Sequence, residues 1–167
     1  MSFFAAVYKK DFRSLFRSPA AFAYLTVFTL LSGIFYYRGF LYFSSVCAEA
    51  PRGMVLNVNE AVFTPLHSNM VLLIVLLVPL LTMRLLAEER RSGTLELLRS
   101  YPSSGAGLVA AKFLSALIVF SLGLAATFLF PVYTLAFGRV DWGPILTALL
   151  GLLLGGAFLV SIGLLFS

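Results

Sequence analysis

The sequence predicts an all-α integral membrane protein: an N-terminal interfacial helix followed by four transmembrane helices. Three observations carry that prediction. Of 167 residues, 60% are hydrophobic and 11% are charged, less than half of the roughly 25% that a soluble domain carries. Four apolar stretches are each long enough, at about 1.5 Å per residue, to cross about 30 Å of hydrocarbon. The basic residues stand at or beyond the ends of those stretches, where they set topology.

Residues 1–18 form the interfacial helix. At 100° per residue, Phe4, Val7, Tyr8, Phe12, Leu15 and Phe16 share one broad side, while Lys9, Lys10, Arg13 and Arg17 gather on the other. Rings in the acyl boundary and cations among anionic headgroups suit a helix lying in the membrane lipid surface. Asp11 points into the apolar side. The same cations, and the lack of a cleavable apolar core before Pro19, exclude a secretory signal. Ser18-Pro19 ends this helix and opens the next, because proline suits a first helical turn.

The first span covers 20–41, closed by the aromatic belt of Tyr36, Tyr37 and Tyr42 with Arg38. Residues 43–66 read as a partly helical loop, broken by Pro51, Gly53 and Pro65. The second span, 67–86, opens at His67 and Asn69 and contains Pro79, where a helix bends. A polar loop fills 87–112. The third span, 113–137, is expected to break at Pro131, and a short turn from Gly138 to Pro144 leads to the fourth, 145–166.

Nine of the twelve basic residues (Lys9, Lys10, Arg13, Arg17, Arg84, Arg90, Arg91, Arg99 and Lys112) fall on one side of this arrangement. The positive-inside rule makes that side cytoplasmic, with the N-terminus and the 87–112 loop inside, in a multi-pass protein of the cytoplasmic membrane. A net charge of +5 distributed in this way is topological. No basic patch is interleaved with exposed aromatics, so nucleic acid is not a partner.

No catalytic set is visible, and the chain does not read as an enzyme. One histidine, one cysteine and spans without acidic residues exclude the usual metal sites and nucleophile triads. Gly93-Thr94 and Ser104-Gly105-Ala106-Gly107 lack the spacing and lysine of a phosphate loop, so nucleotide energy would enter through a separate chain. Spans without carboxylates also argue against proton or sodium coupling. Gly151 and Gly155 form a GxxxG that lets helices approach closely, and Gly156, Ala157, Ser161 and Gly163 extend that small surface, within the chain or between subunits. Scattered hydroxyls, among them Thr26, Thr29, Ser32, Ser121 and Thr127, suit either a passing substrate or helix packing.

The most informative stretch is the polar one. Glu88, Glu89, Arg90 and Arg91 continue the second helix, with Glu88 and Arg91 at pairing distance in sequence. Ser92-Gly93 permits a bend, and Thr94 is placed to cap a short amphipathic helix over Leu95–Ser100 that Tyr101-Pro102 ends. A rigid, charged, two-part protrusion suits mechanical docking of a soluble partner. A membrane anchor that recruits such a partner without transporting anything is the alternative reading.

The run from Pro79 to Leu98, PLLTMRLLAEERRSGTLELL, resembles the permease subunits of type-two ABC exporters, most of all the branch that includes the gliding-motility-associated permeases. The opening Lys9-Lys10-Asp11-Phe12-Arg13-Ser14-Leu15-Phe16-Arg17-Ser18-Pro19 resembles that branch's N-terminal elbow, with Asp11 at its usual acidic position. The resemblance implies an elbow helix, six spans, and a coupling helix between spans two and three that seats in a cytoplasmic ATP-binding subunit. It implies a second permease copy or homologue facing the first, and no cofactor in this chain, with ATP and magnesium on the partner. Glu88, Glu89, Arg90, Arg91, Gly93, Thr94 and Glu96 are the coupling positions it marks. With four spans read before Gly163-Leu164-Leu165-Phe166-Ser167, the resemblance implies that this sequence corresponds to the first part of a six-span permease, truncated after the fourth.

Overall fold

A computed structural model describes residues 19–49, 57–91, 105–137 and 139–166. Helices account for nearly all of them: α1 (Pro19–Glu49), a π-helical turn (Asn59–Phe63) leading into α2 (Thr64–Arg91), α3 (Gly105–Ala126), α4 (Leu129–Thr134) and α5 (Trp142–Leu165). Asn59–Met83, Lys112–Thr134 and Trp142–Leu165 are long and apolar enough to cross a membrane. α1 stands beside them as a further, N-terminal helix. The expected interfacial helix, 1–18, lies outside the described residues.

Side-chain contacts fix the helix directions. Phe120 lies against Gly156 and Phe128 against Trp142, so α3 and α5 are antiparallel. Thr82 meets Gly163 and Asn59 meets Asp141, so α2 and α5 run parallel. Tyr24 and Phe28 lie on Gly123 while Tyr36 reaches Thr134, which makes α1 parallel to α3–α4.

A narrow core runs down the middle of these helices, with Phe28, Phe63, Met70, Val78, Val119, Phe120 and Val160 fully or almost fully buried. Around it the surface is apolar: Leu30, Leu72, Leu80, Leu129, Leu150, Leu154 and Phe158 are all exposed. Water would penalise an apolar surface this extensive, whereas lipid is its natural solvent. Hydroxyls inside the helices are satisfied locally, as when Ser32 donates to the Phe28 carbonyl at 2.6 Å and Ser121 to Leu117 at 2.7 Å. For these two, the packing reading is the one the geometry supports.

Several element boundaries differ from the sequence reading, and α3 already begins at Gly105, inside the expected 87–112 loop. α1 continues to Glu49 where a loop was expected from 43, because no glycine or proline interrupts the chain before Pro51. The loop reading of 57–66 also gives way, to the π-helical turn and the start of α2. α3 breaks at Thr127-Phe128, not at Pro131, which sits inside α4. Proline has no N–H for the carbonyl four residues earlier and its ring crowds that carbonyl, so the strain appears in the turn before it. There the backbone tightens to bonds three residues long, Thr127 N–H to Leu124 O and Phe130 N–H to Thr127 O, both 3.1 Å. α5 starts at Trp142, earlier than 145, because Asp141 caps it by accepting from the Gly143 N–H at 3.1 Å and Pro144 is tolerated in a first turn.

Candidate functional site

The charged run is the strongest candidate, and the structure describes its base. α2 is one helix from Thr64 to Arg91, unbroken across Pro79, and Asn59–Met83 is long and apolar enough to cross a membrane. The backbone of Glu88, Glu89, Arg90 and Arg91 therefore lies on the same helix as that stretch, five to eight residues or about 8–12 Å past Met83. Gly93, Thr94 and Glu96 lie outside the described residues, as do the elbow positions Lys9, Lys10, Asp11, Arg13 and Arg17. Thr82, just inside the membrane end of this helix, donates to the Pro79 carbonyl at 2.9 Å and packs on Gly163 of α5. The base of the protrusion is thus tied into the bundle.

At the opposite end, polar and aromatic contacts join the elements. The Asn59 side chain acts as a clamp: its Nδ2 donates to the Asp141 carbonyl at 2.7 Å, and its Oδ1 accepts from the Asp141 N–H at 3.3 Å. Asn59 is buried, and its own N–H is held by Asn57 Oδ1 at 3.0 Å. Beside it, Tyr36 stacks on Phe130 with ring centroids 4.7 Å apart and tilts against Phe63. The Tyr36 hydroxyl lies 2.7 Å from Thr134 Oγ1. Thr134 spends its single proton on the Phe130 carbonyl, so Tyr36 is the donor. His67, half-buried, tilts against Phe63.

Of the small residues on α5, Gly156 and Gly163 make the close helix contacts. A Cβ on Gly156 would collide with the Phe120 ring, and one on Gly163 with Thr82. Gly151 and Gly155 have nothing within 4 Å of a Cβ position among the described residues. They line an open, apolar groove of about 530 Å³ between α2 and α5, with His67 and Ser68 at one end. A second groove of about 450 Å³, lined by Ser121, Phe128 and Leu150 among others, flanks α5 on the α3 side. Among the described residues no group of three or more His, Cys, Asp or Glu side chains comes together.

The Asn59 clamp and the Tyr36–Thr134 bond escaped the sequence reading, since their partners lie 82 and 98 residues apart and nothing local marks them. Comparison with known proteins gives no matching curated protein and no matching solved structure. A family model, by contrast, matches nearly end to end. Its description is ABC-2 family transporter protein and it covers residues 5–167, so the chain belongs to the ABC-2 family and is a transmembrane permease subunit of an ABC transporter, distinct from the ATPase.

Proposed function

We propose that this permease works as an exporter whose cytoplasmic loop, 87–112, takes the stroke of a separate ATP-binding subunit. The observation that carries the reading is the continuity of α2: one helix leads from the membrane-length stretch to Glu88–Arg91. A force on those charges then reaches the Thr82–Gly163 contact without passing through a flexible joint. Glu88, Glu89, Arg90, Arg91, Gly93, Thr94 and Glu96 are the docking positions, and Lys9, Lys10, Asp11, Arg13 and Arg17 hold an elbow helix at the cytoplasmic surface. α1 is the first of four spans, with the N-terminus and the loop both inside, as the distribution of basic residues requires. Within the family, the sequence is most similar to the gliding-motility-associated branch. The open face at Gly151 and Gly155 packs against a second permease copy.

ATP on the partner is the ligand that distinguishes inward from outward access, because only differential binding shifts such an equilibrium. The test is partner ATPase activity in proteoliposomes. The permease stimulates it, and charge reversal at Glu88, Glu89 and Glu96 removes the stimulation. Unchanged binding and turnover in that variant would refute docking through these residues, and a pure membrane anchor would bind without stimulating. Labelling of Ser92→Cys from each side of the membrane tests the orientation; reaction only from the outside refutes it.

A further inference from the structure

α1 presents a four-residue stripe to α3–α4, made of Tyr24, Phe28, Ser32 and Tyr36, all buried. The facing stripe on α3–α4 is Gly123, Thr127, Pro131 and Thr134, all buried as well. One end of this seam is bonded, Tyr36 to Thr134. The other is not: Tyr24 is 6% exposed, and its hydroxyl has no hydrogen-bond partner among the described residues. The Tyr24 ring stacks on Phe28 and lies over bare backbone, where a Cβ on Gly123 would stand 3.2 Å from Tyr24 Cε1 and 3.4 Å from its hydroxyl. A buried hydroxyl without a partner is uncommon and asks for an explanation.

The partner it lacks is one turn away. Thr127 follows Gly123 by four residues on the same face, about one helical pitch of 5.4 Å further along. Its hydroxyl proton goes to the Leu124 carbonyl at 2.6 Å, which leaves the oxygen able to accept. The geometry points to a second register of this seam, in which α1 stands one turn further toward the Asn59 end, Tyr24 donates to Thr127, and Tyr36 releases Thr134. In either register one tyrosine–threonine bond is made and the other is open, so this hydrogen bond is exchanged and not lost. Gly123 leaves room for the Tyr24 ring to pass, and the tightened turn at Thr127-Phe128 lies where the facing helix is already broken. One-turn ratchets of packed helices are a known form of two-state motion. The inference does not rest on the coupling loop, and its failure would leave the docking test unaffected.

Two measurements on the full-length protein in membranes test it, both on a Cys47→Ser background. In the first, cysteines replace Phe40 and Phe137, whose rings are 5.7 Å apart, so that a short thiol cross-linker reports the present register. Tyr24→Phe and Thr127→Val each remove the competing bond and shift the register equilibrium about fivefold toward the present state, for one neutral hydrogen bond, which raises the cross-linking rate by up to about twofold from equal populations. Combining them adds nothing further, and Tyr36→Phe lowers the rate. In the second, spin labels on the exposed Leu41 and Leu165, near opposite ends of the bundle, give two distances about 5 Å apart, the longer of which Tyr24→Phe suppresses. Unchanged cross-linking in Tyr24→Phe and Thr127→Val, or a single distance in every variant, overturns the second register.

Discussion

Gly155 and Gly156 are neighbours in sequence, about 100° apart around α5, and they meet opposite fates. Gly156 receives the buried Phe120 ring, while Gly155 faces an open groove. Adding one methyl therefore has different consequences at the two positions. Gly156→Ala drives a Cβ into a ring that is itself 0% exposed and has nowhere to go, which costs about 1–3 kcal/mol and lowers the thermal midpoint of the purified protein. Gly155→Ala and Gly151→Ala leave the midpoint of the isolated chain near wild type, and the comparison is a single series of melting curves in detergent. If Gly155→Ala destabilised as much as Gly156→Ala, the rotational setting of α5 described above would be wrong. The GxxxG spacing of Gly151 and Gly155 marks a face that stays open among the described residues, while close approach falls about 100° away at Gly156 and again at Gly163, because the contact depends on where α2 and α3 stand. That is tertiary information.

At the scale of elements, helix existence was legible and helix ends were less so. Long apolar stretches have no alternative in lipid to saturating their backbone as helix, which is why α2, α3 and α5 fall where apolarity placed them. Ends depend on finer competition. Ser44 and Ser45 donate to the Leu41 and Tyr42 carbonyls at 2.9 Å, so these residues, within the segment read as a loop from 43, sit instead on a continuing helix. Pro131 was recognised as disruptive, but its effect falls on the preceding turn. The Asn59–Asp141 clamp joins the π-helical turn to the start of α5 and has no signature in either segment alone. It makes a specific prediction. Asn59→Leu removes both clamp bonds and leaves the Asp141 backbone unpaired, which costs about 1–3 kcal/mol for a part-buried pair. Asn59→Asp keeps the acceptor for the Asp141 N–H but sets an oxygen against the Asp141 carbonyl, and is expected to be at least as harmful. Hydrogen exchange checks the location of the damage: amide protection falls first at Trp142–Leu146, the opening turn of α5. Uniform loss across α5, or none, would show that the clamp does not hold this end.

At the scale of the whole molecule, an apolar bundle is continuous with a helix that runs on to Arg91. Apolar composition made the bundle readable, and the run from Met83 to Pro102 stood out because it is polar between apolar stretches. The first part of this run, read from the sequence as a continuation of the second helix, has no joint: α2 passes from Met83 to Arg91 as one helix. The proposed coupling requires that stiffness, and stiffness is open to direct test. Ala87→Pro lies between the membrane-length stretch and Glu88–Arg91. It removes one N–H and crowds the Met83 carbonyl, at a helix cost of about 3 kcal/mol, while leaving every docking charge and every buried contact described above in place. The expected phenotype is a separation of functions. The variant still inserts and still captures the ATP-binding subunit, but stimulation of ATPase activity in proteoliposomes falls to the basal rate, and transport falls with it. Ala87→Leu, which keeps the helix, behaves as wild type and controls for a change of side chain at this position. Full stimulation in Ala87→Pro would mean that force does not travel along α2, and the loop would then be no more than an anchoring point.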